Sequence, residues 1–447
     1  MGEFFGTDGL RGVAGAYPLD APTIERIGYA LARELTARLG RAPRIVIGRD
    51  TRESGVWIES AIARGIVTAN GTVQSAGVIT TPGVAYLTRA ENADAGVVIS
   101  ASHNPYQDNG IKVFAPSGQK LDDAAELAIE RDLKDGAHDA LPMKDVAISA
   151  DSALQEKYLA FLRDEIGQSL NLQGLRLVVD CANGASSALA PQLFAALGAE
   201  LTVINADPNG RNINLNCGSL HPETLQAEVR AKDAHLGVAF DGDADRLVLV
   251  DERGELVDGD QVLFIMADYF APRGLLREQR VVATVMSNLG LELALRERGI
   301  ELVRTSVGDK NVLDELLKNG GSIGGEQSGH IIFPEISLAG DGLISALEVL
   351  RVVAESGRSL SELASGFTRC PQITINVKVA RKPPLESVPE IKQAMDALVQ
   401  QLNGKGRLLV RFSGTENLAR VMVEGQEESA VRHQAEQIAQ LIKELLS

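Results

Sequence analysis

The chain repeats one pattern of strands and loops three times. Each copy has an apolar β-branched run, a Gly/Ser/Asn-rich loop, a helical stretch, a second such run, and a third run that ends in an unusual polar loop. Strands separated by helical crossovers form parallel sheets, so the pattern predicts three similar α/β modules. Ligands bind beyond the carboxyl ends of such strands, so the three polar loops are expected to share one site.

The strands of these modules, and a different pattern after Cys370, divide the chain into four predicted domains. The predicted strands are 44–48, 72–78 and 96–99, then 175–180, 201–205 and 235–240, then 281–285, 301–305 and 322–324. After Cys370 come a strand at 372–379, a helix at 388–402, strands at 406–412 and 419–425, and a closing helix. We predict α/β domains at 1–150, 151–254 and 255–368, with mixed, largely parallel sheets, and a smaller α+β domain at 369–447.

Composition and charge exclude several classes of function. A chain of 447 residues exceeds the size of one hydrophobic core. The formal net charge of −16 opposes binding to nucleic acid or to an anionic membrane surface. Three widely spaced cysteines argue against a disulfide framework or a structural zinc site. Without an export signal or an apolar run near the roughly 20 residues of a membrane helix, a cytoplasmic location is expected.

Three aspartates that alternate over five residues, Asp241, Asp243 and Asp245, indicate a metal site. Their carboxylates can surround one hard cation such as Mg²⁺, which prefers oxygen ligands. An EF-hand loop is a rival interpretation, but its sixth position needs glycine and is Arg246 here. Magnesium usually bridges protein oxygens and a phosphate, so a phosphate group is expected nearby.

Ser102 is a candidate to carry that phosphate. It lies in the polar loop of the first module, although a loop serine is by default a turn residue. Asp108-Asn109-Gly110 predicts a tight turn, which would fold the following segment back so that Lys112 faces the serine. Lys112 would then offset phosphate charge or move the proton of a sugar hydroxyl, unless it is an ordinary exposed lysine.

Two further segments carry candidate ligand-binding residues. Arg11 lies in a glycine-rich loop whose spacing does not fit a dinucleotide fingerprint. It suits phosphate contact, and a structural turn is an equal alternative. Glu326, Ser328 and His330 alternate, so in an extended segment their side chains share one side. Carboxylate and hydroxyl suit sugar hydroxyls, whereas His330 either joins them or is a packed residue.

The C-terminal domain contains a predicted receptor for a phosphate dianion. The segment joins two predicted strands through a loop rich in hydroxyl and backbone N–H groups, flanked by guanidinium groups. Its candidate residues are Arg411, Ser413, Gly414, Thr415 and Arg420. A simple turn between strands is the alternative.

With these motifs the sequence resembles the α-D-phosphohexomutase superfamily over essentially the whole chain. The resemblance rests on a serine loop at 99–108, Asp-Gly-Asp-x-Asp-Arg at 241–246, Gly-Glu-x-Ser-Gly-His at 325–330 and Arg-x-Ser-Gly-Thr at 411–415. The segments 5–12 and 420–425 are most similar to bacterial members that act on glucosamine phosphates. The segment 308–312 departs from the usual pattern of those members.

The resemblance implies a fold, a cofactor and roles for residues. It implies three similar α/β domains and a smaller fourth around a central cleft, with Ser102 as a phosphoserine that holds Mg²⁺ together with the three aspartates. Glu326 and Ser328 would grip sugar hydroxyls, and the C-terminal loop would bind the non-reacting phosphate. The residues expected to line the phosphoryl-transfer centre are Arg11, His103, Lys112 and Arg246.

The implied reaction converts a hexosamine 6-phosphate into its 1-phosphate through a 1,6-bisphosphate, which in this family supplies UDP-N-acetylglucosamine synthesis. A phosphomannomutase or phosphoglucomutase using the same machinery is the nearest alternative. A non-catalytic sugar-phosphate sensor is a more distant one. The sequence does not indicate the oligomeric state.

Overall fold

The structure, a computed structural model, describes residues 9–134, 144–413 and 417–447. These residues form two compact units. The larger unit holds the described residues up to Val285 together with Val303–Ser365, and the smaller one holds Met286–Leu302 and Gly366–Ser447. Among the described helices, none combines the length and the apolar character that crossing a membrane requires.

The first module contains a five-stranded mixed sheet. Its elements in chain order are β1 Leu10–Val13, α1 Ala21–Leu39, β2 Arg44–Arg49, α2 Gly55–Thr68, β3 Thr72–Val78, α3 Thr81–Ala90, β4 Ala95–Ile99, β5 Asp108–Phe114, α4 Asp123–Lys134 and α5 Ser152–Ala160. The strand order is β1-β5-β4-β2-β3, with β2 parallel to β3 and β4, and with β5 antiparallel to β4 and β1. Every residue of β4 is buried, which explains its uninterrupted apolar sequence.

The second module repeats this topology. After a π-helical segment at Phe161–Ile166, its elements are β6 Arg176–Asp180, α6 Leu189–Ala196, β7 Glu200–Ile204, α7 Glu223–Ala231, β8 Leu236–Phe240, β9 Leu247–Asp251, β10 Leu256–Val257 and α8 Gly259–Phe270. The order β10-β9-β8-β6-β7 places four strands as in the first sheet, but the edge strand β10 ends this module, whereas the edge strand β1 begins the first. The strands β8 and β9 are buried along their whole length, so the polar loop between them starts from the core.

The third module has a shorter version of the same sheet. Its elements are β11 Arg280–Thr284, α9 Leu289–Arg296, β12 Glu301–Thr305, α10 Asp309–Asn319, β13 Gly324–Gly325, β14 Ile331–Ile332, α11 Gly342–Ser356 and α12 Leu360–Ala364. The order is β12-β11-β13-β14, with β13 parallel to β11 and antiparallel to β14. The third predicted strand, at 322–324, is reduced to two glycines.

The smaller unit is a three-stranded antiparallel sheet with helices on one face. Its C-terminal elements are β15 Gln372–Lys378, α13 Pro389–Leu402, β16 Arg407–Phe412, β17 Leu418–Glu424 and α14 Glu428–Leu446, and the strand order is β15-β17-β16. The apolar face of α14, which includes Val431, Ala435 and Ile438, packs on this sheet. This face and the sheet together form the core of the unit.

One predicted turn is wrong, although the segment that follows it does fold back along the strand before the serine loop. Asp108-Asn109-Gly110 lies inside β5 and not at a turn. The chain reverses earlier, between the end of β4 and the start of β5, and Lys112 pairs with Val98 across the two strands. Pairing of β5 with both β4 and β1 overrides the local turn preference.

Candidate active site

Ser102 lies in the loop that follows β4, and its backbone has an unusual conformation. Its φ of +53° falls in the left-handed region, which is uncommon for serine. The residue is buried, and its Oγ donates a 2.6 Å hydrogen bond to Asp241 Oδ2. Its backbone N–H donates a 3.0 Å bond to Ser100 Oγ. The hydroxyl is therefore held against a carboxylate of the second module.

The three predicted aspartates converge in the loop between β8 and β9. Their carboxylate ligand atoms all lie within 4.8 Å of one another, and all three residues are buried. Burial, followed by the charges of Asp245 and Asp243, raises the pKa of Asp241 well above its usual range. Because like charges at this separation repel strongly away from water, the cluster suits a bound cation.

Neighbouring modules hold this loop, hereafter the Asp loop (residues 241–246). Thr81 of the first module donates from Oγ1 to Asp243 Oδ2 at 2.6 Å, and from its backbone N–H to Asp243 O at 3.0 Å. Gly342 of the third module donates its N–H to Ala244 O at 3.0 Å. The ligand geometry thus depends on three modules at once.

Lys112 is buried beside the aspartates. From the middle of β5, its Nζ lies 3.0 Å from Asp243 Oδ2 and 3.4 Å from Asp245 Oδ2. The side chain is only 2% exposed, which rules out the interpretation as an ordinary surface lysine. Its ammonium offsets part of the negative charge of the cluster.

His103 lies next to Ser102, and Arg246 lies next to His103. His103 Nδ1 lies 3.3 Å from Ser102 Oγ and 2.9 Å from Arg246 Nη1. Burial and then the charges of Arg246 and Arg11 lower the pKa of His103 to about 4. The imidazole is therefore neutral near pH 7, and since Arg246 donates to Nδ1, the ring proton resides on Nε2.

Arg11 reaches the same region from a strand and not from the predicted loop. It lies in β1, opposite Gly110 of β5. Its Nη1 donates a 3.4 Å hydrogen bond to Asn104 Oδ1 in the serine loop. The sequence did not predict this strand, because its glycine-rich composition is typical of a loop. Its partner, β5, also lies far away in the sequence.

The segment Glu326–His330 is a tight turn, which corrects the predicted extended segment. Glu326 N–H donates to His330 O, and Gly329, with φ +91°, donates its N–H to Glu326 O, both at 3.0 Å. Ser328 Oγ donates to Glu326 Oε2 at 3.3 Å, so these two predicted sugar ligands are together.

His330 is buried against other residues of the third module. A Cβ atom at Gly340 would lie 2.4 Å from its ring, so only glycine fits beside the imidazole. Its Nε2 lies 3.8 Å from Asp309 Oδ2. With Lys112 and Asp245, His330 lines a cavity of about 200 Å³. This histidine therefore faces the same cavity as Lys112 and Asp245.

In the smaller unit, the two predicted phosphate-binding arginines are direct neighbours. Arg411 of β16 and Arg420 of β17 are paired in register and line a cavity of about 230 Å³ with Thr374 and Asn376. Ser413 is buried, and its carbonyl accepts a 2.8 Å hydrogen bond from Lys382 Nζ. Gly414 and Thr415 lie outside the described residues.

Comparison with known proteins is consistent with this arrangement. The sequence matches the phosphoglucomutase/phosphomannomutase alpha/beta/alpha domains I, II and III at residues 2–139, 156–254 and 258–370, and the C-terminal domain at 375–441. It is 48% identical over 441 residues to the phosphoglucosamine mutase of Solibacter usitatus, covering 99% of this chain and 98% of that protein. The chain belongs to the phosphoglucosamine mutase family. Another member, from Syntrophotalea carbinolica, is 46% identical over 445 residues, which cover 99% of this chain and 97% of that member.

Solved structures share the four-domain fold of the phosphoglucosamine mutase family. A phosphoglucomutase/phosphomannomutase family protein from Burkholderia thailandensis is 25% identical, with a TM-score of 0.79 and coverage of 99% of this chain and 97% of that chain. N-acetylphosphoglucosamine mutase of Aspergillus fumigatus, in complex with GlcNAc-6P and magnesium, is 20% identical, with a TM-score of 0.66 and coverage of 99% and 96%. The architecture of three α/β domains and a smaller fourth domain is thereby confirmed.

The sequence analysis missed residues that support the serine loop. Asp50 and Arg52 are fully buried beside it, and Asn214 of the second module reaches it as well. A signal for the first two was available, because charged residues that directly follow a buried parallel strand lie at the same sheet edge as Ser102. Nothing in the sequence near Asn214 indicated its place.

Proposed function

We propose that this chain is an isomerase that interconverts glucosamine 6-phosphate and glucosamine 1-phosphate. The observation that carries the proposal is the hydrogen bond from Ser102 Oγ to Asp241 within the buried aspartate cluster. A phosphoryl group on that oxygen would lie beside a cation held by the cluster, as phosphoryl transfer requires. The small-molecule substrate class follows from membership of the family.

The aspartate cluster fits magnesium as the cofactor. Asp245 Oδ1 is buried and accepts no hydrogen bond within the described part of the chain, which leaves it available as a ligand. Asp241, Asp243 and Asp245 would hold the ion together with the phosphate of Ser102. When bound, magnesium would neutralise charge on the transferring phosphoryl group.

The chain's own residues would carry out the transfer. Phospho-Ser102 gives its phosphoryl group to a free sugar hydroxyl, so the Oγ–P bond breaks as a bond from phosphorus to the sugar oxygen forms. Lys112 would pass the proton of that hydroxyl towards the serine oxygen, and Arg246 would offset the charge of the transition state. The 1,6-bisphosphate then turns round and returns its 6-phosphoryl group to Ser102: the bond from phosphorus to the sugar 6-oxygen breaks, a bond to Oγ forms, and the serine proton passes to the sugar oxygen.

Other predicted residues would bind and orient the substrate. Glu326 and Ser328, which lie together in the turn between β13 and β14, would accept and donate hydrogen bonds to sugar hydroxyls. Arg411, Ser413 and Arg420 of the smaller unit would bind the phosphate that does not react.

Substitution of Ser102 by alanine tests the mechanism. Wild-type protein treated with glucose 1,6-bisphosphate should gain the mass of one phosphate, and Ser102→Ala should lose both that gain and turnover. Ser117→Ala, at an exposed loop position, is the matched control and should behave like wild type. Near-wild-type turnover by Ser102→Ala would refute the phosphoserine.

Coupled assays on three hexose 6-phosphates test the substrate. Glucosamine 6-phosphate should turn over faster than glucose or mannose 6-phosphate. Faster turnover of either of the last two would favour the phosphoglucomutase or phosphomannomutase alternative. Tight binding without any turnover or phosphorylation would favour the sensor.

We also propose a reducing compartment, the cytoplasm. The three cysteines, Cys181, Cys217 and Cys370, are free and buried. Burial raises the pKa of Cys181 to about 12, so this thiol is unreactive. Free thiols in all three positions are typical of cytoplasmic proteins.

A further inference from the structure

The backbone carbonyl of Ser102 accepts hydrogen bonds from two side chains of different modules. Arg52 Nη2 of the first module donates to it at 3.1 Å, and Asn214 Nδ2 of the second module donates at 2.9 Å. The same two nitrogen atoms also donate to Asn104 O, at 2.6 Å and 3.0 Å. Four hydrogen bonds therefore fix the two carbonyls on either side of His103.

We propose that Arg52 is a positioning residue for the nucleophile, assisted by Asn214, and that together they maintain the left-handed backbone of Ser102. This inference rests on the proposed function, in which Ser102 carries the phosphoryl group. Neither side chain makes a hydrogen bond to Ser102 Oγ within the described residues. Both act through the backbone of the loop.

The backbone of Ser102 explains why such support is needed. The left-handed region disfavours a non-glycine residue, because the Cβ atom comes too close to the following carbonyl oxygen. With the carbonyl released, the loop would relax towards negative φ, and Oγ would leave its 2.6 Å contact with Asp241. A Cβ atom at Gly242 would lie 2.6 Å from the Ser102 carbonyl oxygen, so the Asp loop packs directly on this carbonyl.

Arg52 is built into the fold in a way that suits this role. It is 1% exposed and follows β2, which lies beside β4 in the sheet. Its Nη1 forms a short ion pair with Asp50, whose side chain is also fully buried, and lies 3.5 Å from Ser100 Oγ. The Asp50 carboxylate balances the buried charge and fixes the planar guanidinium, so that Nη2 points at the two carbonyls.

The identity of both residues matters for the geometry. Lysine at position 52 would keep a positive charge for Asp50, but a single ammonium lacks the planar fork that bonds the carboxylate and both carbonyls. Asparagine at 214 has φ +58°, a conformation that aspartate also tolerates. Asn214→Asp would keep the shape of the side chain but replace the Nδ2 donor with a carboxylate oxygen. That oxygen would then face two carbonyl oxygens and could not donate to either.

Steady-state kinetics of Arg52→Lys and Asn214→Asp test the proposal, with the hexose 6-phosphate that wild type turns over best. Misplacement of the nucleophile should lower kcat roughly 10- to 100-fold and change KM by less than about threefold. The rate at which Ser102 gains phosphate from glucose 1,6-bisphosphate, followed by intact mass, should fall in parallel. A purely structural role would lower the melting temperature and leave kcat of the folded enzyme unchanged.

Arg49→Lys is the matched control. Arg49 ends the same strand and pairs with buried Glu59 at 3.0 Å, and none of its hydrogen bonds within the described residues reaches the serine loop. Its kcat should stay within about twofold of wild type. If Arg52→Lys fails to fold, Asn214→Asp decides the outcome.

Folded variants with wild-type kcat, or an equal loss in Arg49→Lys, would overturn the inference and leave the proposed function intact. Failure of wild type itself to turn over any hexose 6-phosphate would instead refute the proposed function.

Discussion

Asp341 is a buried carboxylate that begins helix α11. It accepts hydrogen bonds from the N–H groups of Leu343 and Ile344, at 2.9 Å and 3.2 Å, and from Tyr158 Oη at 2.6 Å. Burial raises its pKa to about 6, despite these bonds and with a further contribution from the charge of Asp245. The ionised form at neutral pH therefore destabilises the folded protein, and its hydrogen bonds to the first turn of α11 offset only part of this effect.

Replacing Asp341 with asparagine should change how stability depends on pH. Because the folded-state pKa lies above the ordinary value, the folded protein binds this proton more tightly, and the free energy of unfolding falls as pH rises from about 4 to about 6. The shift corresponds to about 3 kcal/mol in total. Asp341→Asn lacks this proton, so its melting temperature relative to wild type should rise between pH 5 and pH 7.5. Parallel curves of melting temperature against pH for the two proteins would contradict the assignment.

The turn between β13 and β14 connects the third module to the start of β9, directly after the Asp loop. Its Gly329 has φ +91°, and its carbonyl accepts a 3.2 Å hydrogen bond from the N–H of Leu247, the first residue of β9. A Cβ atom at Gly329 would lie 1.8 Å from Leu247 O. Glycine is required here both by the backbone conformation and by the close approach of the strand.

Gly329→Ala should therefore be strongly destabilising. The clash with backbone adds to the conformational cost, and we expect a loss of about 3 kcal/mol or more, together with loss of activity. Gly357→Ala is the matched control, because Gly357 has φ +64° with nothing near its Cβ position, and should cost only about 1 kcal/mol. Equal melting temperatures for the two variants would show that the close approach of Gly329 to β9 does not affect stability.

Elements with strong apolar runs were predictable from the sequence, whereas those set by distant partners were not. Strand β3 matches its predicted bounds at 72–78, and the three repeated modules follow from such runs. The strand containing Arg11 was missed, and Asp108-Asn109-Gly110 was assigned to a turn, because each depends on pairing across the sheet. Likewise, the spacing of Glu326 and Ser328 identified candidate sugar ligands but could not show that the segment folds as a turn.

The aspartate cluster could be identified from its spacing, but its attachment to the rest of the larger unit could not. Thr81 from the first module and Gly342 from the third both bond to the Asp loop of the second. A cation bound there is thus connected by protein contacts to all three modules. Its binding should stabilise the larger unit as a whole.

Magnesium should raise the melting temperature of the phosphorylated protein, and chelation should lower it. A ligand that binds only the folded form adds about 2.7 kcal/mol at roughly 100 times its Kd. Asp243→Asn should lose most of this shift, because a neutral amide replaces one of three charged ligands. Asp164→Asn, at an exposed surface position, should keep the full shift. An undiminished magnesium effect in Asp243→Asn would place the ion elsewhere.

The smaller unit is assembled from two stretches of chain, since Met286–Leu302 joins Gly366–Ser447. Asn288 donates to Cys370 O at 3.0 Å and accepts from Cys370 N–H at 2.9 Å, and it also donates to the buried Glu424 at 3.3 Å. During synthesis the first stretch leaves the ribosome well before its partners and has to wait for them. A separately expressed fragment that starts at Gly366 would leave Glu424 without Asn288, so the unit is not an autonomous piece that can be cut out or transplanted at a single point.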